Sequence, residues 1–302
     1  AVILDQDSFT YTGDGEPLFN ALLTAQKQWE LAFVGAPWEP HLLTDLTQNR
    51  LRDFKLYVFL NTFQVSADQR KAVHARLKRN NATAVWVYAP GLIDGKISIE
   101  GMRALTGLNL AAVETAGELR VEIAEREHPY TKGLPAGFAY GTDVNVADII
   151  RWYDHQVYLK DPRDPSLRRD LPGFRIAPRF FVDDPGAKML GILAGVNRPG
   201  LAVKKQDGWT SVYSSAPILR ADLLRAIARE AGCHIYSDGG DVVVANREVL
   251  SVYSPKGGNR TVRLPKKSTV VDLLTKKTLA AGVTELPLTL PPNTSVLWAL
   301  KD

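Results

Sequence analysis

Residues 55–91 constrain this chain most, because two short apolar runs there flank one amphipathic segment. Leu56, Tyr57, Val58, Phe59 and Leu60 form a run too short to span a membrane and rich in strand formers, so it predicts a buried strand. Ser66 follows after a short loop with Gln69 three residues on, the spacing of a capping box. Ala72, Val73, Ala75 and Leu77 give the helix an apolar stripe, while Arg70, Lys71, Arg76, Lys78 and Arg79 face water. Asn80-Asn81 ends it. Ala84-Val85-Trp86-Val87-Tyr88 predicts a second buried strand, broken at Ala89-Pro90-Gly91. Strand, helix and strand in this order make a parallel right-handed crossover, the seed of an α/β sheet.

The pattern extends in both directions. Val2-Ile3-Leu4 predicts a first strand, with Asp5, Asp7 and Ser8 at its carboxyl end, where open α/β sheets place their sites. Residues 16–33 predict a helix with Leu18, Leu22, Leu23, Trp29 and Phe33 inward, and His41-Leu42-Leu43 a short strand. Further on, 99–105 predicts a helix, 120–123 an alternating strand, and 179–182, 190–196, 201–203 and 209–213 more strands. Residues 217–231 predict a helix with Pro217 near its first turn and Gly232 past its end. After Ile235 short alternating strands recur, punctuated by Gly239-Gly240, Gly257-Gly258 and Pro291-Pro292.

With 302 residues, two domains are the natural expectation. The first, 1–233, is α/β with a doubly wound, mostly parallel sheet. The second, 234–302, is a small antiparallel β-sandwich. Turn-like dipeptides punctuate 144–175, which is assigned as an insertion; it carries Trp152, Tyr153, Asp154, His155 and Tyr158. The chain begins inside an apolar strand, as expected of a piece cut from a longer polypeptide or processed.

The formal net charge of +4 is too mild to argue for nucleic acid. Seven Lys or Arg and one acid lie between Lys256 and Lys277, which reads as a solvated, aggregation-resistant edge, or more sharply as a patch for an anionic polysaccharide. One cysteine, Cys233, excludes an internal disulfide. No apolar run reaches the ~18 residues of a spanning helix, and no signal peptide is present, so a soluble protein is expected and the compartment, cytoplasmic or secreted, stays open.

A reactive α/β sheet of this kind would carry Cys or Ser on a sharp strand-to-helix elbow, because the strained turn lifts the nucleophile above the sheet. Ala89-Pro90-Gly91-Leu92 holds neither. Cys233 and His234 are neighbours on an extended segment and point to opposite faces. The five histidines show no metal spacing, and no glycine-rich phosphate loop occurs, so neither a metal nor another cofactor is expected. Among the acids, Asp5 with Asp7, Asp143, Asp183-Asp184, and Asp238 with Asp241 are candidates for paired carboxylate chemistry. Asp183-Asp184-Pro185-Gly186 and Asp238-Gly239-Gly240-Asp241 read more simply as turns.

Several stretches resemble the non-catalytic C-terminal half of large bacterial glycoside hydrolases related to the family 42 β-galactosidases. They are KLYVFLN (55–61), the helix opened by Ser66-Ala67-Asp68, TAVWVYAPG (83–91), HPYTKGL (128–134), FVDDPGAKMLG (181–191), GWTSVYSSAP (208–217) and 223–238. The resemblance covers most of the chain except 144–173. It implies a class I glutamine amidotransferase-like, flavodoxin-like "trimerisation" domain followed by a small β-sandwich. It further implies a catalytic barrel N-terminal to this chain, a homo-oligomer, and a role in assembly and in walling a neighbouring active-site cleft. The acid/base and nucleophile glutamates would sit on the barrel, so no catalytic residue is carried over.

Trp152, Tyr153 and His155 are then expected to contact a partner subunit or line the rim of a sugar cleft, since aromatic faces stack on sugars and also anchor interfaces. Two other readings stand beside this one. The first is an autonomous carbohydrate hydrolase with a site near Asp5, Asp7 and the 89–94 loop. The second is a stand-alone carbohydrate-binding module.

Overall fold

A computed structural model describes residues 1–8, 30–142 and 175–301. The chain divides into two compact units, Ala1–Lys27 with Pro40–Leu219, and Gln28–Glu39 with Arg220–Asp302.

The described strands of the first unit are β1 (Val2–Leu4), β2 (Pro40–Leu42), β3 (Leu56–Phe59), β4 (Thr83–Val87), β5 (Leu110–Val113), β6 (Arg120–Ile123), β7 (Ala139–Gly141), β8 (Arg179–Val182), β9 (Lys188–Leu193), β10 (Arg198–Gln206) and β11 (Trp209–Ser214). Nine form one sheet in the order β2-β1-β3-β4-β11-β10-β9-β6-β7, and β5 pairs antiparallel with β8. Neighbours from β2 to β11 in that order run parallel, and every pairing beyond β11 is antiparallel. The sheet is therefore mixed rather than mostly parallel. Its antiparallel half begins where a crossover is replaced by a two-residue turn, Asp207-Gly208, with Gly208 at φ 78°.

The seeding unit folds as its sequence predicts. The helix Ala67–Arg79 opens on Ser66, whose Oγ accepts from Gln69 N (3.2 Å) while Gln69 Oε1 accepts from Ser66 N (2.8 Å). β4 is buried along its whole length, as a central parallel strand covered on both faces must be. Phe59 stacks on Trp86 at 4.2 Å, and Trp86 Nε1 donates to Ser211 Oγ (3.1 Å), tying β4 to β11. After β4 the chain passes so close to the helix Ile99–Thr106 that a Cβ on Gly101 would lie 2.2 Å from Gly91 O.

In the second unit, the short 3-10 turn Leu31–Val34 closes at Gly35 (φ 80°), where a Cβ would lie 1.8 Å from Ser237 O. Of the helix expected at 16–33, the portion before residue 30 lies outside the described residues. The helix Ala221–Glu230 belongs to this unit by packing: Arg225 donates from Nε to Val34 O (2.8 Å) and from Nη2 to Phe33 O (2.6 Å). Five strands follow, β12 (Val242–Ala245), β13 (Val249–Ser254), β14 (Gly258–Asp272), β15 (Thr278–Leu290) and β16 (Thr294–Lys301). They are joined by antiparallel hydrogen bonding in the order β12-β13-β16-β14-β15.

Two features of that sheet explain why it reads as more and shorter strands. The segments expected at 261–264 and 270–274 are parts of one long strand, β14, interrupted by a bulge. Its register with β15 jumps from Arg263↔Glu285 to Ser268↔Val283, so Pro265, Lys266 and Lys267 are extra on the β14 side. Only the portion after the bulge, from Thr269, pairs with β16. Val262, Leu264, Leu286 and Leu290 nevertheless share one apolar cluster with Leu250, Val252 and Trp298.

Candidate functional site

Open α/β sheets gather their chemistry at the carboxyl edge of the parallel strands. β1 lies between β2 and β3, parallel to both, and its carboxyl end is the corresponding place in this chain. Asp5 stands there, only 4% exposed. Ser8, fully buried, donates its hydroxyl proton to Asp5 Oδ2, and Ser8 N donates to the same oxygen at 2.9 Å. Ser8 Oγ in turn accepts from Phe63 N and Gln64 N, both at 3.0 Å. Asn61 completes the lock, accepting from Asp5 N and donating to Asp5 O, each at 2.8 Å. Burial raises the Asp5 carboxyl above the ordinary value, and the hydrogen bonds from Ser8 offset part of that. An acid placed this way holds the exits of β1 and β3 together.

The next corner follows β4. Tyr88 has φ 62°, a left-handed conformation that a bulky side chain adopts only under constraint. Here it is held on both sides by β11: Tyr88 N donates to Ser214 O (2.9 Å), and Tyr213 Oη donates to Tyr88 O (2.5 Å). The side chain points away from the sheet toward β8, with its hydroxyl donating to Pro178 O (2.9 Å) and its ring edge-on to Phe180 (5.4 Å). Burial, with the Glu114 charge added, pushes the Tyr88 phenol well above its ordinary value. So β4 ends on a left-handed turn, and a neutral, hydrogen-bonded tyrosine occupies it.

Beside it the end of β11 is polar and closed. Tyr140 Oη and Ser214 Oγ share a hydrogen bond at 2.8 Å, and Ser214 Oγ donates to Ala216 O (2.7 Å). Burial raises the phenols of Tyr140 and Tyr213 alike. Neither these tyrosines nor Tyr88 could be singled out from the sequence, because a tyrosine in an apolar strand reads as a core residue.

The remaining candidates are engaged elsewhere. Cys233 is half-buried, and the adjacent His234 directs Nε2 to Arg263 O (2.9 Å). His74 Nε2 meets Leu105 O (2.8 Å), and His128 Nδ1 accepts from Tyr130 N (3.2 Å). Asp184 forms the expected turn, accepting from Gly186 N (2.9 Å), and adds bonds from Asn109 N (3.0 Å) and Lys204 Nζ (2.7 Å). Asp238 accepts from Arg263 (2.7 Å) and Arg229, while buried Asp241 accepts from Arg260 Nε (2.9 Å). Among the described residues, no group of three or more His, Cys, Asp or Glu could hold a metal ion, and no helix is long and apolar enough to cross a membrane.

Within the basic run, the portion of β14 before Thr269 pairs with β15 and not with β16; Lys266 and Lys267 sit on the bulge, and Arg260 and Arg263 are engaged in ion pairs. A groove along β14 and β15, lined by Asn259, Arg260, Thr261, Pro287, Leu288 and Thr289, has no aromatic face for a sugar.

Asp143, Trp152, Tyr153 and His155 lie outside the described residues. The root of their segment is described. Thr142 N donates to Leu119 O (2.9 Å), and Leu119 N to Thr142 Oγ1 (3.1 Å), at the departure. At the return, Ile176 and Gly117 exchange backbone hydrogen bonds at 2.9 and 3.1 Å. Both ends are thus pinned to one stretch of chain, two residues apart.

Comparison with known proteins gives a fold. No family model and no curated protein matches the sequence. Among solved structures, the chain is similar to a β-galactosidase from Bacillus circulans sp. alkalophilus, at a TM-score of 0.59 and 16% identity over 99% of this chain and 41% of that one. It is similar to a β-galactosidase from Rahnella sp. R3, at 0.58 and 14% identity over 99% of this chain and 40% of that one. A third is Gan42B, a GH42 β-galactosidase, at 0.58 and 12% identity over 100% and 40%. The chain therefore spans about 40% of the length of the β-galactosidases whose fold it shares.

Proposed function

We propose that this chain is the non-catalytic, assembly and active-site-walling portion of a multidomain, β-galactosidase-like glycoside hydrolase acting on oligo- or polysaccharides. The observation that carries the proposal is the likeness in fold: nearly all of this chain matches, yet only about 40% of each GH42-type chain is matched. In this reading the first unit is a doubly wound, amidotransferase-like domain without its chemistry. The closed corner at Tyr88 supports that, since neither a nucleophile nor a base stands on the elbow. A catalytic barrel N-terminal to the chain and a homo-oligomer are its partners, with Trp152, Tyr153 and His155 at a subunit contact or the rim of a sugar cleft.

The autonomous-hydrolase reading is weakened by Asp5, whose Oδ2 is committed to Ser8. Turnover of aryl β-galactosides by the purified 302-residue chain tests the two directly. No turnover above buffer is expected, and turnover that Asp5→Asn abolishes would reverse the proposal.

A further inference from the structure

We infer that Tyr88 turns the strained elbow at the end of β4 into an anchoring post for the β5–β8 pair. This rests on reading the corner as non-reactive. A left-handed residue at the end of a central strand projects its side chain out of the sheet, and that projection is what makes such a turn useful for presenting a nucleophile. In this chain the projected group is a phenol ring that reaches β8. Its hydroxyl donates to the Pro178 carbonyl at 2.9 Å, immediately before β8 begins at Arg179. Its ring meets Phe180 edge-on at 5.4 Å, with Phe63 from the loop after β3 on another side at 6.3 Å.

The left-handed backbone persists because β11 grips both the N–H and the carbonyl of Tyr88. Strain of this kind survives only where the surroundings over-determine it. The β5–β8 pair is not hydrogen-bonded into the nine-stranded sheet, so it needs side-chain ties to hold its place. The other ties described include, at the far end of the pair, Asp184 to Lys204 of β10 and Arg103 of the helix Ile99–Thr106 to the Leu110 carbonyl. At the near end the backbone exchange between Gly117 and Ile176 precedes β8, and Tyr88 adds a side-chain tie to β8 itself, at Pro178 and Phe180. The near end is where the chain returns from Ile176, so the post fixes where the segment carrying Trp152, Tyr153 and His155 re-enters the fold.

Native-state amide exchange on the full chain, read strand by strand, tests this. Tyr88→Phe keeps the ring and removes the hydroxyl. It should raise exchange at Phe180, Phe181 and their β5 partners Ala111 and Ala112 roughly three- to tenfold, the equivalent of one lost hydrogen bond, while β1 and β3 keep their rates. Tyr88→Gly removes the post and also relieves the left-handed strain. It should raise exchange in β5 and β8 further, while the overall melting midpoint falls less than a buried aromatic truncation normally causes. Unchanged β5 and β8 rates in both variants would overturn the inference, as would a uniform rise across the parallel strands. A reactive corner would show itself differently: Tyr88→Phe would abolish a turnover present in the parent chain, which would sink the proposed function and leave the exchange result to be judged separately.

Discussion

Replacing Ser8 by alanine should destabilise the first unit far more than the loss of one small hydroxyl suggests. Ser8 Oγ is fully buried, accepts from two backbone N–H groups and donates to a buried carboxylate. Ser8→Ala leaves Gln64 N–H without its hydroxyl acceptor and Asp5 Oδ2 without its hydroxyl donor, while Phe63 N–H keeps its bond to the Asn61 carbonyl (2.8 Å) and Asp5 Oδ2 keeps that from Ser8 N. A buried group that loses its partner costs about 1–3 kcal/mol, and Gln64, being partly exposed, is expected to recover some of its share from water. The sum is about 2 kcal/mol. At roughly 2–4 °C per kcal/mol for a unit of this size, the melting midpoint should fall by about 4–8 °C. Denaturant melts followed by tryptophan fluorescence would measure it, since Trp86 reports on β4 beside β3. Asp5→Asn and the double variant complete the cycle, with a coupling of at least about 0.5 kcal/mol expected for groups in direct contact. A loss below about 1 kcal/mol, or strict additivity of the two substitutions, would show that the lock is not what joins β1 to β3.

Gly101→Ala should cost about 2–4 kcal/mol or displace the helix Ile99–Thr106, because the new Cβ would lie 2.2 Å from Gly91 O; a thermal melt reads it, and an unchanged midpoint would contradict the close approach. Asp184 provides a pH test: burial raises its carboxyl, but Lys204 and the N–H groups of Asn109 and Gly186 outweigh burial and hold it below the usual value. The unfolded chain then binds the proton more readily than the folded one, so this stabilisation is present above about pH 4 and lost as the pH falls through the depressed folded value. Asp184→Asn should flatten that part of the stability–pH curve, whereas Asp5→Asn should act with the opposite sign, since a raised acid favours the folded state on protonation. Joining residue 142 to 176 through a few Gly and Ser residues should leave both units folded, because the two ends are pinned about 7 Å apart along one extended stretch. If the proposed function holds, that deletion weakens self-association or sugar affinity in sedimentation and binding assays, and an unaltered profile would remove Trp152, Tyr153 and His155 from the interface.

The parallel half of the first unit was legible where its strands are buried on both faces, as β3 and β4 are, and therefore read as continuous apolar runs. Ser66 and Gln69 marked the helix start for a local reason, two side chains satisfying two backbone donors. The antiparallel half was legible as strands but not as topology. β5 and β7 were missed altogether, since LAAV (110–113) and AYG (139–141) are short and carry no alternation. In the second unit, Pro265 broke the reading of β14 in two. A proline punctuates a sequence, yet in the fold it sits in a bulge where β15 does not require its missing N–H. The candidate site was legible only as an absence, a corner with no Ser or Cys. That a tyrosine there takes φ 62° is set by Tyr213 and Ser214, more than 120 residues away, and no local pattern reports such a grip.

The same separation explains why the corner argues for a holding role. Covalent catalysis asks a strained turn to leave its side chain free, with a base in reach and a pocket for the substrate. At Tyr88 the backbone N–H, the carbonyl and the hydroxyl all have partners within the unit, and the phenol is kept neutral by burial. At the neighbouring strand ends, Ser8 and Ser214 likewise spend their hydroxyl protons on Asp5 and on the Ala216 carbonyl. Asp5, Ser8, Tyr88 and Ser214 are thus each satisfied by backbone or by a neighbour, whereas the buried hydroxyls of Thr62 and Ser215 have no hydrogen-bond partner among the described residues. Desolvating the first four without such partners would cost several kcal/mol in total, so the partners are what allow a polar edge of this kind to be buried at all. An edge built that way gains rigidity from every side chain that chemistry would need to move.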